Sequence, residues 1–217
     1  MLKFGDWINR KRHNRGFGIQ SPSAFFFITQ VLKEKLPYYA YEQLDDIAEE
    51  CGESSKQKCR QLFRIANYFA PASAIAIASA TAACAISSAR RGIPKQFITD
   101  SAEPCAKVIG HLADCGCNNL HGNTLQLLKK SLEANNGVGL LYIGSCSNQR
   151  ELLDAALEHT NKDSIIIVEG IHESKQQFDW WQQAISNPKT IVTYDLYSMG
   201  ILFFNNERPK QNYTLKR

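Results

Sequence analysis

The side chains best suited to chemistry stand just after short apolar runs. Glu169 and His172 follow the run Ser164–Val168. Imidazole changes charge near neutrality, so His172 is the candidate general base, and Glu169 can orient it or a substrate. Asp100 closes the run that starts at Lys95, and a carboxylate there can accept from both hydroxyls of a diol. Cys146 follows the run Val138–Ile143 and becomes a nucleophile if its thiol is acidified. Each has a plainer role as well. His172 reads as a helix-entry residue, Cys146 as a buried thiol, and Asp100 as a helix cap, with Ser101 able to take that place. Asn123, after Gly122, reads equally as a turn residue.

These positions need a scaffold. Short apolar runs at Ala74–Ala78, Lys95–Asp100, Asn118–His121, Val138–Ile143 and Ser164–Val168 are each followed by a helical pattern. Alternation of this kind predicts a parallel sheet covered on both faces. The end differs. Thr190–Leu196 and Gly200–Phe204 are joined by too few residues for a crossover, so they pair antiparallel. Three helices precede the first strand. One starts at Ser21-Pro22 and runs to about Leu36, with Phe25, Ile28, Val31, Leu32 and Leu36 on its apolar face. A second starts at Pro37 and ends near Gly52, and a third carries Leu62, Ile65, Ala66 and Phe69. Met1–Ile8 reads as a small amphipathic helix or strand-like anchor. Residues 1–70 are therefore expected to form a helical extension or cap, and residues 71–217 an α/β domain. The stretch Pro71–Arg91, PASAIAIASATAACAISSARR, is the strand, turn and helix over which a nucleotide-like cofactor would lie in such a domain.

Composition narrows the function classes. The chain has 217 residues, a net charge of +4 and an ordinary hydrophobic content of 44%, enough for a proper core. Arg10, Lys11, Arg12 and Arg15 cluster, yet no nucleic-acid-binding signature accompanies them, so no nucleic-acid partner is expected. Phe69–Ala89 has spanning length, but it is mostly Ala and Ser and contains Pro71, which reads as a buried strand and helix and not a membrane span. Seven scattered cysteines without a Cys-x-x-Cys pattern point to free thiols in a reducing cytoplasm.

Several segments carry a family resemblance: Arg15-Gly-Phe-Gly-Ile-Gln-Ser-Pro22, Pro37-Tyr-Tyr-Ala-Tyr41, Gln61-Leu-Phe-Arg64 and Tyr194-Asp-Leu-Tyr-Ser-Met-Gly-Ile-Leu-Phe-Phe204. With them the chain resembles the class I, Rossmann-like S-adenosylmethionine-dependent methyltransferases, in particular a bacterial O-methyltransferase-like group. The resemblance covers nearly the whole chain. It implies a seven-stranded sheet in the order 3-2-1-4-5-7-6 with strand 7 antiparallel. It also implies cofactor positions at Ala76, Ala78, Ala82, Asp100 and Asn123, with Asp100 on the ribose hydroxyls and Asn123 toward the adenine.

Departures fall on those same positions. Where the family has an acid followed by Gly-x-x-x-Gly, this chain has Ala76, Ala78 and Ala82. Each methyl is expected to point into the space of the ligand, and Ala tolerates positive φ less well than Gly. Gly144, Ser147 and Gly170 replace an Asp, a His and a second Asp of the family pattern. Glu169 alone cannot ligate a divalent ion, so no metal is expected. Two readings follow. In one, the chain is a methyltransferase-like protein with a degenerate cofactor site, without standard activity and without a bound cofactor, serving as a structural or partner-binding domain. In the other, it is an active O- or N-methyltransferase that takes S-adenosylmethionine and a small-molecule substrate in an atypical pocket, with His172 and Glu169 as its catalytic residues. Binding of another nucleotide or acidic ligand is a third. The segment holding His13 and Gln20 would cover the cleft or pack against a second subunit, and the aromatic-rich N-terminal helices suit a homodimer.

Overall fold

The computed structural model describes residues 19–52, 56–101 and 103–215. The basic cluster, the Met1–Ile8 anchor and His13 lie outside the described residues.

Eight strands form one sheet: β1 Ala74–Ile77, β2 Lys95–Thr99, β3 Cys117–His121, β4 Leu140–Ile143, β5 Ile165–Glu169, β6 Val192–Asp195, β7 Met199–Phe203 and β8 Gln211–Thr214. Their order is β3-β2-β1-β4-β5-β7-β6-β8. β1 to β5 run parallel to their neighbours, and β7 runs antiparallel to both β5 and β6. The expected seven-strand order is present, extended by β8, which pairs parallel with β6. β8 was not expected because Gln211-Asn212-Tyr213-Thr214 has one large apolar residue. Tyr213 packs it down, stacked on Tyr194 at 5.1 Å between ring centroids, and the Thr193 hydroxyl donates to Asn212 Oδ1 at 2.9 Å.

The helices are α1 Pro22–Phe26, which continues into a π-wound turn at Phe27–Leu32, then α2 Tyr41–Glu50, α3 Lys56–Phe69, α4 Ala80–Ala89, α5 Ala106–Asp114, α6 Thr124–Ala134, α7 Gln149–Glu158 and α8 Lys175–Ser186. Ser21 caps α1 by accepting from the Ala24 N–H, with Pro22 at the first helical position. The expected apolar face of α1 is only partly correct. Ile28, Val31 and Leu32 are buried, but Phe25 is 45% exposed and Leu36, beyond the helix end, is 65% exposed. The wider winding after Phe26 turns Phe27 inward in place of Phe25.

Two apolar layers sandwich the sheet. One joins α1–α5 to the sheet face that carries Ala76, Phe97, Tyr142, Ile167 and Ile201. The other joins α6–α8 to the face that carries Ile77, Ile98, Ile143 and Val168. The registers place Phe97, Ala76, Tyr142, Ile167, Ile201 and Tyr194 in one continuous row across the strands. On the opposite face Gly200 is bare because the Trp181 ring lies on it; a Cβ there would sit 2.5 Å from the indole.

Arg64 fastens the N-terminal helices. Buried on α3, it donates through Nε to the Val31 carbonyl (2.7 Å), through Nη2 to that of Leu32 (2.8 Å) and through Nη1 to the Tyr41 hydroxyl (2.8 Å). It thereby satisfies the carbonyls that the end of α1 leaves unpaired.

Candidate functional site

In an open α/β sheet the ligand crevice lies beyond the carboxyl ends of the strands, where the strand order reverses. Here that point is the β1/β4 boundary. The residues picked out from the sequence do converge on this edge, but at different depths.

Ala76 and Ala82 are not at the surface. Ala76 is 2% exposed and lies between its strand partners Phe97 and Tyr142; Ala82 is fully buried on α4. The expectation that all three alanine methyls point toward a ligand is corrected for these two, whose methyls belong to the core beneath the helical layer. Ala78 is half-buried and keeps a left-handed backbone, φ 56°, the conformation that glycine adopts most readily. An alanine holds this turn at a cost in strain. The next residue, Ser79, caps α4 by accepting from the Ala82 N–H.

The strand ends close on each other. The Gly144 N–H donates to the Ile77 carbonyl at 2.9 Å, and a Cβ at 144 would sit 2.9 Å from the carbonyl oxygens of both Ile77 and Ala78. The acid of the family pattern cannot stand there without moving β1. Beside it, buried Gln149 donates through Nε2 to the carbonyls of Gly144 (3.0 Å) and Glu169 (2.9 Å), bridging the ends of β4 and β5. Gly170 has φ 73°, and the Glu173 carboxylate occupies the place of a side chain at 170, 2.7 Å from where a Cβ would be.

Glu169 does not meet His172. Its Oε1 accepts from Lys58 Nζ at 2.6 Å, with the two side chains only 18% and 11% exposed, which ties α3 to the end of β5. His172 instead pairs through Nε2 with Asp195 Oδ2 at 2.8 Å. Tyr197 stacks on its ring at 5.0 Å and 8°, and Phe178 lies 4.9 Å away. Asp195 is 6% exposed, and its Oδ1 accepts from the Tyr197 N–H at 2.8 Å. Asp195 thus orients the imidazole. Asp195 was missed from the sequence as a site residue, although it ends an apolar run as Asp100 and Glu169 do. Gln149 and Lys58 carried no sequence signal.

Asp100, Asn123 and Cys146 stand at the same edge. Asp100 is exposed and does not cap α5, whose cap position is Cys105. Asn123 is the cap of α6, its Oδ1 accepting from the Gln126 N–H at 2.9 Å. Burial pushes the Cys146 thiol up, and the nearby Asp100 charge adds to the rise, so Cys146 lacks the acidified thiol a nucleophile needs. No group of three or more His, Cys, Asp or Glu residues able to hold a metal ion occurs among the described residues. No described helix is long and apolar enough to cross a membrane.

The turn over β1 thus presents Ala78 in a left-handed conformation, a helix start capped by Ser79, and Gly144 held against two carbonyls. No family model and no curated protein matches the chain. Solved structures do. The SAH-bound methyltransferase PaMTH1 of Podospora anserina superposes with a TM-score of 0.59 at 12% identity, over 87% of this chain and 97% of that one. A Staphylococcus aureus protein described as a caffeoyl-CoA O-methyltransferase gives 0.58 at 13% identity, over 77% and 93%. At such identities the likeness speaks for architecture alone, and with the strand order it establishes that this chain has the Rossmann-like fold of the class I S-adenosylmethionine-dependent methyltransferases.

Proposed function

We propose that this is a methyltransferase-fold protein whose cofactor site is degenerate, which does not carry out standard methyl transfer and which serves as a structural or partner-binding domain in the cytoplasm, as a homodimer or with another protein. The observation that carries this reading is the crowding at the switch point, where a side chain at Gly144, the place of an acid in the resembled family, would meet the carbonyls of Ile77 and Ala78. The pairing of Glu169 with Lys58 supports it, because a carboxylate held by an ammonium is withdrawn from substrate. Titration calorimetry with S-adenosylmethionine and S-adenosylhomocysteine tests it. No binding at about millimolar ligand is expected, and micromolar affinity would overturn the reading.

One observation favours a second reading, an active O- or N-methyltransferase acting on a small molecule in an atypical pocket. His172 and Asp195 form an oriented imidazole–carboxylate pair of the kind that serves general bases. The same titration separates the two.

A further inference from the structure

Helices that lead into parallel strands run opposite to them, so their C-termini gather at the amino edge of the sheet. Here α3 ends at Phe69, α6 at Ala134 and α7 at Glu158. Among the residues that follow these ends and those that begin β1, β4 and β5 lies a cavity of about 480 Å³. That is within the size range of small-molecule sites. It faces away from the carboxyl edge and shares none of the residues discussed for it.

The cavity has two kinds of wall. Phe69 and Phe203 line it, both half-buried, with ring centroids 5.0 Å apart. Opposite in character, Asn135, Asn136, Asn161 and Asn205 are among its lining residues. Asn161 Oδ1 accepts from the Asp163 N–H and Asn205 Oδ1 from the Glu207 N–H, each over two residues. Those bonds fix the two side chains and leave their NH₂ groups to donate. Ser73, also in the wall, is only 6% exposed, and its hydroxyl takes part in none of the described hydrogen bonds. The walls are drawn tightly together: a Cβ at Gly139 would sit 2.3 Å from the Ser73 carbonyl oxygen. Two lining residues, Ala70 and Asn136, hold left-handed backbones at φ 49° and 55°, strain of the sort that persists where surrounding structure enforces it.

The lining selects a chemistry. Carboxamides and a serine hydroxyl both donate and accept, which matches hydroxyl groups on a ligand. The aromatic pair offers a face for ring C–H groups. Helix C-termini carry partial negative charge and disfavour an anion inside. Lys162 and Arg208, both exposed, stand at the rim beside Asp163. We infer that the amino-edge cavity binds a hydroxylated ring of sugar size, uncharged where it is enclosed. The inference is independent of whether the carboxyl edge binds S-adenosylmethionine.

Saturation-transfer NMR and calorimetry on the full chain test it, with D-ribose, D-glucose and D-ribose 5-phosphate as probes. The expected result is transfer to ring C–H protons of at least one probe, with about millimolar affinity. Asn136→Gly keeps the left-handed backbone while removing the carboxamide, and Asn135→Ala removes its neighbour's; each should weaken binding roughly fivefold. Equal affinity for ribose and its phosphate identifies a neutral sugar as the ligand. Tighter binding of the phosphate, lost in Lys162→Met, places the phosphate at the rim of the same site. No transfer from any probe at about 20 mM, or binding unchanged in both asparagine variants, overturns the proposal.

Discussion

The two edges of this sheet differ in how the chain fills them. At the carboxyl edge the chain consumes its own valences. Gln149 bridges two strand ends, Ser79 caps α4, Lys58 neutralises Glu169, and Gly144 rests on β1. At the amino edge a polar cavity stays open, with Ser73 and several asparagines facing it. Connectivity decides where strands end and helices begin, and hence where a crevice is easiest to build. Side chains decide whether it is left open. A fold therefore marks a place for a ligand without guaranteeing one.

The contrast can be broken by substitutions at the closed edge. The largest effect is expected from Ala76→Glu, which would put a carboxylate between Phe97 and Tyr142 and cost about 3 kcal/mol or more in urea unfolding. A loss under about 1 kcal/mol would mean that the end of β1 is open to solvent or ligand after all. Next, Lys58→Met should leave the Glu169 charge without its ammonium partner and cost about 2–3 kcal/mol, and adding Glu169→Gln should recover most of it. Gly144→Ala should cost about 2 kcal/mol, because its methyl overlaps two carbonyl oxygens; an unchanged unfolding midpoint would show that the strand ends part readily. Ala78→Gly goes the other way. Relief of the left-handed alanine should stabilise the fold by about 1 kcal/mol. The smallest effect is kinetic: burial holds the Cys146 thiol in its protonated form, so at neutral pH iodoacetamide should label exposed Cys105 well before Cys146 in a mass-spectrometric time course. Preferential labelling of Cys146 would revive it as a nucleophile.

Much of the scaffold was readable because it rests on short-range rules. Apolar runs alternating with helical patterns gave the parallel strands, and the short link after Leu196 gave the antiparallel β6–β7 pair. Asp100, Glu169 and His172 were rightly placed at strand ends, since a polar residue after an apolar run marks where the chain leaves the core. Their partners were not readable. Lys58 reaches Glu169 across 111 residues of sequence and Asp195 reaches His172 across 23, and nothing local encodes either pair. The π-wound turn in α1 and strand β8 escaped for a related reason, as each is held by packing against distant aromatic residues such as Tyr194.

By itself the sequence determined the alternation of strands and helices, the reversal at the end of the sheet, and the alanines at 76, 78 and 82 over β1. Those are matters of residue type and spacing along one chain. Only the tertiary structure decided that two of the three alanines belong to the core, that Glu169 and His172 have separate partners, and that the open cavity lies at the amino edge. Each of these depends on which surfaces meet across the sheet, and contact between distant segments leaves no periodic trace in the chain that makes it.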